Sequence, residues 1–254
     1  MRIAFVGDSF TEGVGDERSD GSLRGWADMV AKGLAVNGGE HVHYANFAVR
    51  GRLLERIATE QVDQALALTP PPDLLVINGG GNDMLRPGYT TAACVALLSG
   101  VVERAAEAGA DLLILSGPDP SDNLPNGAAF HRRGRELTDA IPSLISGLDD
   151  VRFVNCFDDA ELRDRSYWCE DRLHLNARGH ERVAALVLTV LGVATPLPAR
   201  GEAASPRTKL GDAAYTVRHV APWVGRRIMR RSSGDGRSAK HPQWIEIALV
   251  QPQD

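Results

Sequence analysis

The segment Arg2-Ile-Ala-Phe-Val6 opens the chain as a short apolar run and ends abruptly in Gly7-Asp8-Ser9. The same arrangement recurs where Leu74-Leu-Val-Ile-Asn78 precedes Gly79-Gly80-Gly81-Asn82-Asp83, and Leu112-Leu-Ile-Leu-Ser116 is a third run of this kind. Continuous apolar runs of this length are typical of strands that are buried on both faces of a parallel sheet. The pattern therefore predicts a parallel sheet whose strands end in polar or glycine-rich loops.

Working outward from these runs, we predict five strands, at Arg2 to Val6, His41 to Phe47, Leu74 to Asn78, Leu112 to Ser116 and Val151 to Cys156. Apolar residues at helical spacing predict helices over Trp26 to Val36, Leu53 to Leu68, Thr90 to Ala108 and Ala128 to Leu148, and a last helix between Asn176 as N-cap and Gly192. Strands that alternate with helices predict a three-layer α/β/α domain built on a parallel sheet of about five strands.

Charge divides the chain near residue 195. Residues 1–199 carry 18 basic and 28 acidic side chains, whereas residues 200–240 carry ten basic and three acidic ones. The stretch from Thr195 to Pro206 has the Pro, Gly and small residues of a linker. The sequence therefore predicts an acidic folded domain over residues 1–194, followed by a linker and a basic C-terminal extension over residues 195–254.

Several classes of protein are excluded by composition. No apolar run approaches the roughly 18 residues of a transmembrane helix, and the run after Met1 ends at Val6, too early for the apolar part of a secretory signal. The cysteines, Cys94, Cys156 and Cys169, are widely spaced and contain no Cys-x-x-Cys pair, which favours reduced thiols over a zinc or redox site. These features lead us to expect a cytoplasmic protein.

Four blocks in predicted loops carry the functional signal: Gly7-Asp8-Ser9, Gly51, Asn82 and Asp171-Arg172-Leu173-His174. In this order and spacing they resemble the SGNH hydrolases, also called GDSL esterases and lipases, over roughly residues 1–192. The resemblance implies a flavodoxin-like fold and the hydrolysis of carboxylic esters without a metal or cofactor. It places the family's serine, glycine, asparagine and histidine at Ser9, Gly51, Asn82 and His174, with Asp171 as the partner of the histidine.

The chemistry of the residue types supports the same roles. A serine hydroxyl requires a base within hydrogen-bond reach, and imidazole is the side chain that titrates near neutral pH. Of the seven histidines, only His174 has a carboxylate three residues upstream in a turn that enters a helix, whereas His180 lies inside that helix and is given no role. We therefore predict a catalytic triad of Ser9, His174 and Asp171, in which the aspartate fixes the imidazole tautomer.

Three groups are candidates for an oxyanion hole, which donates hydrogen bonds to the attacked carbonyl oxygen. They are the backbone N–H groups of Ser9 and Gly51 and the side-chain amide of Asn82. The neighbouring Asp8 and Asp83 are expected to accept hydrogen bonds from loop backbone amides.

The expected substrate is a small-molecule ester with a short acyl group, such as an acetyl ester. Only 6% of the residues are aromatic, and no long apolar insertion between the motifs is available as a lid. Phe10 and Leu175 stand where the family often has leucine and proline, so they are candidate walls of the acyl pocket. The composition therefore predicts a short pocket that is open to water.

Other readings of the same residues remain. Gly7-Asp8, Asn82-Asp83 and His174 resemble part of the ligand set of a metal-dependent phosphoesterase, although such sites need more histidines at strand ends than this chain supplies. A dinucleotide site at Gly13-Val-Gly15 lacks a third glycine on schedule.

The C-terminal extension permits a non-catalytic binding function. Residues 223–231 have the pattern of a short basic amphipathic helix, which suits nucleic acid, an anionic surface or a protein partner. We favour the alternative that the extension folds back onto the acidic domain. The late run from Trp244 to Val250 is expected to form an added edge strand or a docking segment.

Overall fold

The structure is a computed structural model that describes residues 1–39, 41–124, 127–193, 195 and 233–248. Six strands form one sheet: β1 (Arg2–Val6), β2 (Val42–Asn46), β3 (Leu74–Asn78), β4 (Asp111–Leu115), β5 (Val151–Val154) and β6 (His241–Ile247). Their spatial order is β5-β4-β3-β1-β2-β6. The first five strands are parallel, as predicted, and β6 runs antiparallel to β2.

Eight α-helices flank the sheet in the described part of the chain: α1 (Ser9–Glu12), α2 (Gly25–Gly38), α3 (Leu54–Arg56), α4 (Val62–Leu66), α5 (Gly81–Met84), α6 (Thr91–Glu107), α7 (Gly127–Leu144) and α8 (Ala177–Val190). A π-helical turn (Ile57–Gln61) separates α3 from α4, so the helix predicted over Leu53 to Leu68 is interrupted. Asn176 caps α8 by accepting a hydrogen bond from the N–H of Gly179. None of these helices is long and apolar enough to cross a membrane.

Successive residues of the strands point into two separate cores. On β1, Ile3 and Phe5 pack with α2 and α8, whereas Ala4 and Val6 pack with α3 to α7 on the other face. All four side chains are fully buried, because helices cover both faces of the sheet. The predicted α/β/α layering is thereby confirmed.

The end of the described chain adds the sixth strand. Tyr44 of β2 lies opposite Ile245 of β6, and Val42 lies opposite Ile247. The residues from Trp244 to Ile247 therefore form part of an edge strand, which was one of the two predicted alternatives. The strand begins three residues before Trp244, at His241. The predicted basic helix over residues 223–231 lies outside the described residues. The boundary near residue 195 stays a prediction.

Lys240, directly before β6, ties the C-terminal segment to the helices around Ser9. Its ammonium group donates hydrogen bonds to the carbonyl oxygens of Glu12 (3.3 Å) and Arg24 (2.5 Å) and to Asp28 Oδ1 (2.8 Å). A few residues earlier, a Cβ on Gly234 would lie only 2.2 Å from the carbonyl oxygen of Arg50. Residues 233–248 therefore pack closely against the loops that end β1 and β2.

We expect Lys240→Met to lower the free energy of unfolding by about 2 kcal/mol, because two backbone carbonyls and a carboxylate lose a charged donor. The measurement is urea denaturation followed by circular dichroism. Lys32→Met, which changes an exposed lysine of α2, is the matched control and should shift the midpoint little. Equal stability of the two variants would show that the Lys240 contacts contribute nothing to the fold.

Candidate active site

The residues singled out from the sequence converge at the carboxyl ends of the parallel strands. Ser9 begins α1 after β1, Asn82 lies in α5 after β3, and His174 lies in the loop before α8. Loops that leave the same edge of a parallel sheet come together there, which explains how residues 165 positions apart meet.

Ser9, His174 and Asp171 form a continuous chain of hydrogen bonds. Ser9 Oγ lies 3.0 Å from His174 Nε2, and His174 Nδ1 lies 2.6 Å from Asp171 Oδ2. The other carboxylate oxygen, Asp171 Oδ1, accepts hydrogen bonds from the backbone N–H groups of His174 and Leu173. Both distances along the side chains suit a nucleophile, a base and a group that orients the base.

The pKa of Asp171 reflects this arrangement. Burial favours the neutral acid, but the hydrogen bonds and charge of His174, with the N–H of Leu173, outweigh burial and lower the pKa to about 2. Asp171 is therefore ionised at any pH near neutrality and accepts the proton on His174 Nδ1. That leaves His174 Nε2 as the acceptor that faces Ser9.

A tight turn brings the aspartate and the histidine together. Arg172, between them, is nearly buried and has a φ of 60° in the left-handed region, which residues other than glycine rarely adopt. The backbone N–H groups of Leu173 and His174 converge on Asp171 Oδ1 inside this turn. The three-residue spacing was visible in the sequence, but the left-handed arginine that produces the turn was not.

The segment that carries Ser9 is held from both sides. Gln61, in the π-helical turn, accepts a hydrogen bond from the N–H of Gly7 (2.7 Å) and donates one to its carbonyl oxygen (3.0 Å). Asp8 caps α1, since its Oδ1 accepts from the N–H of Phe10. Gln61 lies 54 residues from Gly7 in sequence, so only the folded chain reveals its role.

Asn82 is linked to the serine loop and to the loop that contains Gly51. Its Nδ2 donates to Asp8 Oδ2 (2.9 Å) and to the carbonyl oxygen of Arg52 (3.1 Å). Gly51, next to Arg52, has a φ of 76° and so occupies a conformation that suits glycine. Ser9, Asn82 and His174 line a common cleft, whereas Gly51 is not among the residues that line it.

Asp8 and Asp83 accept backbone hydrogen bonds, as predicted, from Phe10 and Leu54 respectively. Burial raises the pKa of Asp8 to about 6, against the opposing effects of the Phe10 N–H, the charge of His174 and the amide of Asn82. Burial likewise raises the pKa of Asp83. The ionised form of Asp8, beside Ser9 and Asn82, therefore lowers the stability of the folded state.

The raised pKa of Asp8 predicts that the free energy of unfolding depends on pH. A carboxyl whose pKa rises from 3.8 to about 6 on folding stabilises the folded state fully below pH 3.8 and loses that contribution as the pH rises through 6. The loss amounts to about 3 kcal/mol. We therefore expect the free energy of unfolding of Asp8→Asn, relative to the wild type, to increase by about this amount between pH 4 and pH 7.5. Urea melts across that range measure it, and a flat difference would contradict the buried, ionised state of Asp8.

The other histidines near the site have different surroundings. His180 is fully buried, its Nδ1 accepts from the N–H of Trp26, and its Nε2 lies 3.1 Å from the carbonyl oxygen of Val14. Burial lowers the pKa of His180 to about 4, so it is neutral and structural at pH 7. His131 and Asp119 form a second aspartate–histidine pair, with 2.6 Å between Nδ1 and Oδ2. The two residues are twelve positions apart in sequence, so the three-residue spacing did not identify them.

No three His, Cys, Asp or Glu side chains within the described ranges are grouped so that they could hold a metal ion.

The cleft beside Ser9 encloses about 1000 Å³, with the open space at its mouth included. Phe10 and Leu175 line it, as predicted. The cleft also continues along apolar residues of α5, α6 and α7, among them Leu98 and Ile141. The cleft is therefore lined by more apolar residues than those adjacent to the motifs in sequence, and the short acyl pocket stays a prediction.

Comparison with known proteins gives one family. Residues 5–182 match the GDSL-like Lipase/Acylhydrolase family, a range that includes all five residues of the predicted triad and oxyanion hole. No curated protein sequence matches the chain significantly.

Several solved structures share the fold. TesA is 23% identical with a TM-score of 0.61, and the match covers 75% of this chain and 98% of TesA. The psychrotrophic esterase EstA from Pseudoalteromonas sp., in a structure inhibited by monoethylphosphonate, is 17% identical with a TM-score of 0.59, covering 75% and 96%. The acetylxylan esterase Axe2 from Geobacillus stearothermophilus is 18% identical with a TM-score of 0.59, covering 75% and 94%.

Proposed function

The chain belongs to the GDSL-like lipase/acylhydrolase family and is therefore a carboxylic ester hydrolase, and we propose that it works through a covalent acyl-enzyme on Ser9. The observation that carries this proposal is the chain of hydrogen bonds from Ser9 through His174 to Asp171. A serine hydroxyl at 3.0 Å from an imidazole whose other nitrogen is bound to a carboxylate is equipped for nucleophilic attack.

In the first half of the reaction, Ser9 Oγ attacks the carbonyl carbon of the ester while His174 Nε2 takes the hydroxyl proton. Negative charge develops on the carbonyl oxygen, where the N–H groups of Ser9 and Gly51 and the amide of Asn82 are the proposed donors. The bond to the alcohol oxygen then breaks, and His174 returns its proton to the departing alcohol.

In the second half, a water molecule replaces the alcohol. His174 takes a proton from the water as its oxygen attacks the acyl carbon, and the proton then passes to Ser9 Oγ as the carboxylic acid leaves. Asp171 stays ionised throughout, since its pKa is lowered to about 2. Its role is to hold the ring and to stabilise the positive charge that His174 carries in each half.

Trapping the nucleophile tests this proposal directly. We expect a fluorophosphonate to inactivate the enzyme with one equivalent bound, because Ser9 Oγ displaces fluoride from phosphorus and the adduct resembles the tetrahedral intermediate. Trypsin should release residues 3–18 between Arg2 and Arg18, a peptide in which Ser9 is the only serine. Mass spectrometry should find the added mass there, and excess ester substrate should slow the labelling. Inactivation with label on another peptide would contradict the assignment of Ser9.

Chelation distinguishes the phosphoesterase alternative. Because the proposed steps use only side chains and backbone groups of the chain, dialysis against EDTA should leave esterase activity unchanged. Loss of activity that Mn²⁺ or Zn²⁺ restores would favour metal-assisted chemistry at Asp8, Asp83 and His174 instead.

A further inference from the structure

The cleft extends from Ser9 into the layer between the sheet and the helices α6 and α7. Its inner wall includes Leu98 of α6, Leu137 and Ile141 of α7, and Ile114 of β4. These four side chains are between 2% and 5% exposed. The cleft therefore has an inner part that is enclosed by core residues, in addition to its open mouth.

The inner part is mainly apolar, with Thr138 and Asn78 as its polar side chains. Met84 of α5 and Leu85, which follows the helix, also line the cleft. Asn78, a polar residue that also lines the cleft, already donates its amide to the carbonyl oxygen of Leu115 (3.0 Å). Most of this wall offers water no hydrogen-bond partner, whereas a hydrocarbon chain gains by contacting it.

The length of the inner part follows from α7. Gly134, Leu137, Thr138 and Ile141 line the cleft from one face of α7, and the eight residues from Gly134 to Ile141 rise by about 10 Å along the helix. A wall of this length suits a linear chain of medium length better than an acetyl group.

The proton transfers of His174 indicate which half of the ester, acyl or alcohol, lies in the inner part of the cleft. The departing alcohol takes its proton from His174, and the attacking water later arrives at the same nitrogen, so the alcohol side has to remain open to solvent. The His174 side chain is partly exposed and lies in the loop before α8. The inner wall belongs to the core on the α6 and α7 face of the sheet, whereas α8, which follows His174, packs on the other face.

We propose that this inner part binds the acyl chain, and that the natural substrates are esters of medium-length linear fatty acids of the octanoyl class. The inference rests on the proposed function, because it assumes that the acyl group is transferred to Ser9. It replaces the short acyl group that the sequence favoured.

The test compares p-nitrophenyl esters from acetyl to dodecanoyl. A buried methylene raises kcat/KM by up to about fourfold, so we expect the value to rise at least tenfold from butanoyl to octanoyl. Leu98→Phe, which adds volume at the inner wall, should reduce the ratio of octanoyl to acetyl kcat/KM at least tenfold. Leu97→Phe is the matched control, because Leu97 is the adjacent residue of α6 and does not line the cleft. Its ratio should stay within about twofold of the wild type.

A binding measurement separates this inference from the proposed function. Octanoate should raise the Tm of the Ser9→Ala protein more than acetate does, and Leu98→Phe in that background should abolish the difference. If the enzyme hydrolyses acetyl esters but kcat/KM falls beyond butanoyl and octanoate has no effect, the inference is wrong while the proposed function stands. If Ser9 is not labelled and no ester is hydrolysed, both are wrong.

Discussion

Ser9→Ala should lower kcat for p-nitrophenyl esters by roughly three to six orders of magnitude while the protein stays folded. The substitution removes the oxygen that forms the acyl-enzyme, and the residual rate comes from binding and from the oxyanion donors alone. Ser9 is partly exposed and makes its side-chain contact with His174, so the loss of the hydroxyl should cost little stability. Steady-state kinetics with the ester in excess, together with circular dichroism, check both statements.

His174→Ala should cause a loss of similar size, because the serine and the histidine act as one unit. The double variant should therefore be little worse than either single one, whereas independent contributions would multiply. Two matched controls are available. Ser143→Ala changes an exposed serine of α7, and His131→Ala removes the histidine that is bound to Asp119 at the same distance of 2.6 Å. Substantial turnover by folded Ser9→Ala, or loss of activity in either control, would refute the assignment.

Asn82→Ala should lower kcat by about a hundredfold to a thousandfold, with a smaller effect on KM. An oxyanion donor acts mainly in the transition state, and removing one typically costs about 3 to 4 kcal/mol. In the structure both hydrogens of Asn82 Nδ2 are used, one by Asp8 Oδ2 and one by the carbonyl oxygen of Arg52, so one of these bonds has to be exchanged for the bond to the oxyanion.

The same substitution should perturb Asp8. Without Asn82 the buried carboxylate loses one of its donors, so its pKa should rise further above about 6. Asn155→Ala, which changes an exposed asparagine bound to Asp158, is the control. An effect below about tenfold on kcat, in a folded Asn82→Ala protein, would remove Asn82 from the oxyanion hole.

The order of strands and helices was predictable because it depends on local pattern. Apolar runs such as Leu74 to Asn78 mark strands that are buried on both faces, and the helical spacing after Asn176 marks α8. The hydrogen-bonded arrangement of Ser9, His174 and Asp171 was predictable for a related reason. Asp171 and His174 are three residues apart, and Ser9 directly follows a strand whose carboxyl end must lie at the same edge of the sheet.

Two features of the site depend on contacts between distant residues, which no local pattern records. Gln61 holds both backbone groups of Gly7, and Asp8 holds the amide of Asn82 across 74 residues. The sequence indicated that Asp8 and Asn82 belong near the site, but not that they bond each other.

The sequence by itself thus determined the α/β/α layering, the approximate strand positions and the residues of the proposed triad, because periodicity and short spacings act within one element or one turn. Only the tertiary structure decided the shape of the cleft and the place of the C-terminal segment. Leu98 and Ile141 read as ordinary core residues until α6 and α7 pack beside Ser9, and β6 finds its place only once the edge of β2 exists. Both outcomes depend on which surfaces meet after folding, and that is a property of packing between elements.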